Sequence, residues 1–94
     1  MIRTFADRRT ARLFEGKPIR EISRDLRRLA QRRLEQLHTA AELDTLRVPP
    51  GNRLEKLKGD RSGQWSIRVN DQWRVCFTWR GGDAFDVWFG DYHR

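Results

Sequence analysis

Trp65-Ser66-Ile67-Arg68-Val69, Trp73-Arg74-Val75-Cys76-Phe77-Thr78-Trp79-Arg80 and Ala84-Phe85-Asp86-Val87-Trp88-Phe89-Gly90 are three consecutive runs with a period of two. Trp65, Ile67 and Val69 alternate with Ser66 and Arg68; Trp73, Val75, Phe77 and Trp79 with Arg74, Cys76 and Thr78; Phe85, Val87 and Phe89 with Asp86 and Trp88. Such alternation marks strands with one apolar face. Three in a row form an antiparallel meander whose apolar face must be covered by another layer. Cross-strand partners share a face, so their residue numbers must sum to an even value around each turn. A two-residue loop at Asn70-Asp71 would set Val69 opposite Gln72 and mix the faces. A three-residue loop, Asn70 to Gln72, pairs Val69 with Trp73, Ile67 with Val75 and Arg68 with Arg74. The same reasoning at Gly81-Gly82-Asp83 pairs Trp79 with Phe85 and Arg74 with Gly90, glycine supplying the left-handed position. Five-residue loops also satisfy parity. In the three-residue register, Arg68, Arg74 and Tyr92 share one face.

The covering layer is legible upstream. Ile2-Arg3-Thr4-Phe5 reads as a short first strand. Asp7 can cap a helix over Arg8 to Glu15 that Gly16 ends. Pro18 suits the first turn of a longer helix, in which Ile22, Leu26, Leu29 or Ala30, Leu34, Leu37 and Ala41 form one apolar stripe. Its other faces carry Arg20, Arg24, Arg27, Arg28, Arg32 and Arg33, either as a solvated surface or as a face for RNA or a protein partner. Glu42 to Asn52 reads as a connecting loop. The expected fold is α+β, with two N-terminal helices packed on a twisted, mainly antiparallel sheet of four to five strands. Residues 1–94 are expected to form a single domain.

The formal charge of +7 points to a polyanionic or acidic partner. All but three of the 20 basic residues (Lys17, Lys56 and Lys58) are arginine, whose planar fork grips phosphate bidentately. A lone cysteine, Cys76, leaves no intrachain disulfide and fits a cytoplasmic protein. His38 and His93 are the only imidazoles and no ligand spacing links them to other donors, so neither a metal nor a cofactor is expected. The start, Met1-Ile2-Arg3-Thr4-Phe5, has no long apolar segment, so neither a signal peptide nor a membrane association is expected.

Asp91-Tyr92-His93 places three proton-transfer groups just after the last strand. With Arg74 and Arg68 on the face of Tyr92, the set suits attack on a phosphodiester. In RNA the 2′-hydroxyl already lies beside the scissile phosphate. Its proton must be removed, the phosphoryl charge neutralised and the leaving 5′-oxygen protonated. Arg53, Lys56, Lys58 and Arg61 form a basic stretch before the meander, suited to flanking phosphates or to plain surface charge.

Leu54-Glu55-Lys56-Leu57-Lys58-Gly59-Asp60-Arg61, Gly63-Gln64-Trp65-Ser66-Ile67, Trp73-Arg74, Gly82-Asp83-Ala84 and the closing Asp91-Tyr92-His93 together resemble the HigB toxins. These belong to the RelE/ParE superfamily of type II toxin–antitoxin systems. Met1-Ile2-Arg3-Thr4-Phe5 and Leu13-Phe14-Glu15 fit the same pattern, so the resemblance spans nearly the whole chain. It implies a microbial-RNase-like fold and ribosome-dependent cleavage of mRNA that arrests translation. It also implies a helix-turn-helix, HigA-like antitoxin as partner, with operator DNA engaged only through the toxin–antitoxin complex. The family's terminal triplet maps onto Asp91, Tyr92 and His93, and its strand arginine onto Arg74. Where family members carry a catalytic histidine in the Leu-x-x-Leu-Lys-Gly segment, this chain has Glu55, a weaker base than imidazole at neutral pH. The alternatives are a ParE-like gyrase inhibitor acting by protein binding alone and a non-catalytic RNA-binding module. An antitoxin interface is expected on the basic helices, residues 7 to 41.

Overall fold

The computed structural model describes residues 1–92. Helix α1 (Arg8–Phe14) starts where Asp7 accepts a 2.7 Å hydrogen bond from the Thr10 amide. It ends just before Gly16, which has φ +80°. Helix α2 (Arg24–Thr39) begins six residues later than Pro18 suggests. Its cap is Ser23, whose hydroxyl accepts from the Leu26 amide at 3.1 Å. A side-chain oxygen satisfies an otherwise orphaned helix N–H, which a proline at the same point cannot do. The segment from Pro18 to Ser23 instead makes a turn, Ile22 N–H to Ile19 C=O at 3.2 Å, that lays Ile22 on the core. The apolar stripe runs through Ala30, Leu34 and Leu37 and finishes at Ala40, leaving Ala41 exposed.

The sheet has four antiparallel strands in the order β1 (Glu55–Lys56), β2 (Trp65–Arg68), β3 (Trp73–Arg80) and β4 (Asp83–Asp91). The two-residue β1 lies in the stretch read from sequence only as basic. Between β2 and β3 the expected register holds, with Ile67 opposite Val75 and Arg68 opposite Arg74. Asn70 organises that turn, its side-chain oxygen accepting from the amides of Gln72 and Trp73 at 2.9 and 2.8 Å. Ile67, Val75, Phe77, Val87 and Phe89 form the apolar face, closed by Leu13, Ala30, Leu34 and Leu37 from the helices.

The β3–β4 turn departs from the parity reading in an instructive way. Gly81 and Gly82 form a two-residue turn with φ +56° and +82°, pairing Arg80 with Asp83 and Trp79 with Ala84. Two positive φ values match the type of turn that follows the natural strand twist. The resulting face error is then undone by a β-bulge opposite Phe77, where Asp86 has φ +53°. Beyond the bulge Arg74 lies opposite Gly90, as parity requires. Before it, Ala84 rather than Phe85 enters the core, and Phe85 packs under the Arg80 guanidinium at 4.3 Å.

The outer edge of β4 is covered. Ile2 and Phe5 make parallel bridges to Ala84 and Val87, so the expected first strand is an extended edge segment. Farther along, the Phe89 amide donates to Thr10 Oγ1 at 3.0 Å and its carbonyl accepts from Arg9 at 2.7 Å. An uncovered edge would invite pairing with other chains. Here α1 also fixes the last strand from outside.

Candidate active site

One cross-strand row on the side away from the helices spans the whole sheet. Glu55 on β1 pairs with Ser66 on β2, Ser66 with Cys76 on β3, and Cys76 with Trp88 on β4. At about 4.8 Å per strand spacing the row is ~14 Å wide. Ser66 and Cys76 in the middle are small and fully buried, whereas Glu55 and Trp88 at the ends are half-buried. The result is a trough with a low floor. Cys76 and Leu57 are buried yet lie outside the main core cluster, so this side of the sheet has its own cover.

Arg74 comes from the neighbouring row and lies across the floor. Its Nε donates to Ser66 Oγ at 2.8 Å, its Nη2 to the Arg53 carbonyl at 2.8 Å, and Nη2 is 3.8 Å from Glu55 Oε1. The Arg53 carbonyl is aimed by backbone geometry. Arg53 adopts φ +45° at the end of a 3-10 turn, Pro50–Asn52, a conformation uncommon outside glycine. That turn is pinned by buried Asn52, whose amide donates to the Leu46 and Val48 carbonyls at 3.2 and 3.3 Å. A guanidinium held at several points loses little freedom when it meets an anion, and its fork matches two phosphoryl oxygens.

Arg61 approaches from the other end. It closes a 3-10 turn, Gly59–Arg61, and its Nη1 donates to Gln64 Oε1 at 3.0 Å. Its guanidinium carbon lies 4.1 Å from the Trp88 ring centroid and 5.7 Å from that of Tyr92. The charges of Arg61 and Arg74 both favour the charged form of Cys76. Burial nevertheless dominates and pushes the Cys76 thiol up to about 11, against the pull of those two charges. The thiol contributes stability that is fully present below the ordinary thiol range and is lost as pH rises toward 11. Native protein treated with iodoacetamide at about pH 8 should therefore keep Cys76 unmodified, whereas guanidinium-unfolded protein should react promptly. Equal rates by mass spectrometry would contradict the burial.

Of the residues singled out from sequence, Arg74, Glu55, Arg53, Arg61 and Tyr92 gather at the trough. Asp91 accepts from Gln72 Nε2 at 2.9 Å at the end of β4. Arg68 shares the face of Arg74 by register, but its guanidinium is paired with Asp71. Lys56 places its ammonium 6.0 Å from the Trp65 ring, and Lys58 is exposed ahead of the 3-10 turn. His93 lies outside the described residues. Sequence reasoning did not single out Ser66, Trp88 or Gly90 for the site. Parity could have found them, because the even positions that carry Arg68 and Arg74 also carry Ser66, Cys76, Trp88 and Gly90.

The class defined by this architecture is an α+β protein of RelE-like fold, two helices on a four-stranded antiparallel sheet. The solved YoeB–YefM complex from Staphylococcus aureus contains a chain of that fold, with TM-score 0.58 over 100% of this chain and 99% of that one. Sequence identity there is 14%, so the likeness is one of fold. The chain belongs to the HigB-like toxin family, RelE-like toxins of the type II toxin–antitoxin system HigB, whose model matches residues 3–93. It is similar to Toxin HigB-1 of Vibrio cholerae, 46% identical over 63 residues, which are 67% of this chain and 65% of that protein. The match thus spans slightly under two thirds of the Vibrio toxin. It is similar along its full length to Endoribonuclease HigB of Proteus vulgaris, 36% identical over 98 residues, 99% of this chain and 100% of that protein.

Proposed function

We propose that this chain is the toxin of a type II toxin–antitoxin pair, a metal-independent endoribonuclease that cuts mRNA on the ribosome and arrests translation. The observation that carries this reading is the clamped Arg74 guanidinium, held by Ser66 and Arg53 on the face of the sheet away from the helices. It is a preorganised donor for charge that develops on phosphoryl oxygens, the largest single contribution in many such reactions. The RNA supplies its own nucleophile. The 2′-oxygen attacks phosphorus as its proton leaves, the bond to the 5′-oxygen breaks, and that oxygen takes up a proton.

In this scheme Glu55, 3.8 Å from Arg74, accepts the first proton or orients the arginine. His93 and Asp91 handle the second proton in this scheme. Tyr92 orients the message or stacks on a base, a usual way of holding single-stranded RNA. Arg61 and Arg53 take flanking phosphates, with Lys56, Lys58 and Arg68 as peripheral cations. The name of the Proteus relative supports the activity, and the family supports an antitoxin as the protein partner, here proposed to be of helix-turn-helix type. The basic faces of α1 and α2 suit an acidic surface on that partner by charge. Among the described residues no helix is long and apolar enough to cross a membrane. The cytoplasm, where ribosomes are, is the proposed site of action, with residues 1–94 acting as one domain.

The test is purified protein added to ribosomes programmed with a defined message, with 5′ ends mapped by primer extension. New ends within translated codons are expected, and they should persist in excess chelator. An uncut message at enzyme excess, with supercoiling by purified gyrase blocked instead, would replace this reading with the ParE-like one.

A further inference from the structure

Trp88 has no role in the scheme above, yet the trough is built around it. Its indole lies so close over Gly90 that a Cβ at residue 90 would stand 2.1 Å from ring atoms Cη2 and Cζ2. Only glycine leaves that space, although Gly90 sits in a regular stretch of strand opposite Arg74. The ring so seated carries the Arg61 guanidinium at 4.1 Å, and the same guanidinium reaches the Tyr92 ring at 5.7 Å. An aromatic face offers negative electrostatic potential to a cation without a carboxylate that would compete for it.

We propose that Trp88 is a positioning residue: seated over Gly90, its indole holds Arg61 above the trough and, through Arg61, holds Tyr92 at the end of β4. It contacts no reacting atom itself. Its π face substitutes for an acidic partner, so Arg61 is ordered but keeps its full charge for a phosphate. This rests on the nuclease reading for its consequence in catalysis, but not for the contact itself.

The experiment pairs cleavage on programmed ribosomes with NMR of the free protein. The protein has a single tyrosine, so the Tyr92 ring signal is unambiguous. Trp88→Leu should lower kcat/KM about tenfold, the size expected for loss of one partly desolvated cation–π contact. Trp88→Phe, which keeps a π face, should restore most of the loss. Arg61→Met should cost as much as Arg61→Met combined with Trp88→Leu, because the indole acts through the arginine. Gly90→Ala should mimic Trp88→Leu. In the NMR arm, the Arg61 Nε–Hε signal should be ring-current shifted in wild type and should relax in Trp88→Leu, and the Tyr92 ring signals should move with it.

Additive losses in the double variant, or Phe performing no better than Leu, would overturn the proposal. So would unmoved Arg61 and Tyr92 signals in Trp88→Leu. If that variant does not fold, Arg61→Met must still move the Tyr92 signal. A wild type that cuts nothing defeats the nuclease reading alone, and the NMR arm still decides whether Trp88 positions Arg61 and Tyr92.

Discussion

Arg74→Ala is expected to lower cleavage on programmed ribosomes about 10²–10³-fold, the usual consequence of removing one preorganised donor to developing negative charge. The thermal midpoint should fall as well, so cleavage is compared well below it. The side chain lies on the trough side of β3, away from the helices, and its bonds to Ser66 Oγ and the Arg53 carbonyl are donated by a guanidinium that is 14% exposed. Each such bond has a charged donor and is worth about 1.5–3 kcal/mol. The ion pair with Glu55 is long at 3.8 Å, and Glu55 is one-third exposed, so solvent screens it. The change in stability should therefore be a few of the roughly 5–14 kcal/mol expected for a domain of this size, and the loss of cleavage should persist where both proteins are fully folded. Arg74→Lys separates charge from geometry. An ammonium keeps the positive charge but cannot donate to Ser66 and Arg53 in one plane while presenting a fork to phosphate. It should fall between wild type and alanine. A variant Arg74→Ala that retains more than about a tenth of wild-type cleavage would remove Arg74 from the chemistry.

What could be read from sequence divides by physical cause. The helix α1 and its cap at Asp7 were legible because capping is local, written in one side chain and the amide three residues on. The register of β2 against β3 was legible because every side chain there has to choose a face. The start of α2 was misread because Pro18 and Ser23 are both acceptable helix openers, and the docking of Ile22 on the core decided between them. The β3–β4 turn combined two departures that cancel, a two-residue turn and a bulge at Asp86, so the distant pair Arg74–Gly90 was right while Phe85 and Ala84 were exchanged. Strand β1 is two residues long, too short for any periodicity to show. The site divides in the same way. Arg74 was visible as a cation among apolar neighbours, but the groups that aim it are a serine and a main-chain carbonyl from 21 residues earlier in the chain. Trp88 was passed over because parity puts it on the face of Arg74 without showing that Gly90 leaves room to seat its indole there.

Phe77 is the counterpart of Arg74 on the same strand, and Phe77→Ala should destabilise the fold with no direct effect on chemistry. The two residues lie on opposite faces of β3. Phe77 is fully buried in the main core, edge-on to Trp79 with ring centroids 6.3 Å apart at 71°. It pairs with Trp65 on β2 and stands across from the bulge on β4, where no regular cross-strand partner is present to fill a void. Truncating a buried phenylalanine removes its transfer free energy and leaves a cavity, together about 3–5 kcal/mol. Against a total of roughly 5–14 kcal/mol that is a large fraction. Because each kcal/mol is worth about 4–8 °C in a domain this small, the midpoint should fall by at least about 12 °C. Cleavage by Phe77→Ala should then follow the folded fraction, recovering toward wild type as the assay is cooled, whereas Arg74→Ala should stay inactive at every temperature. A midpoint within about 4 °C of wild type in differential scanning calorimetry would mean that the core closes around the missing ring and that Phe77 is not what holds β3 to the helices.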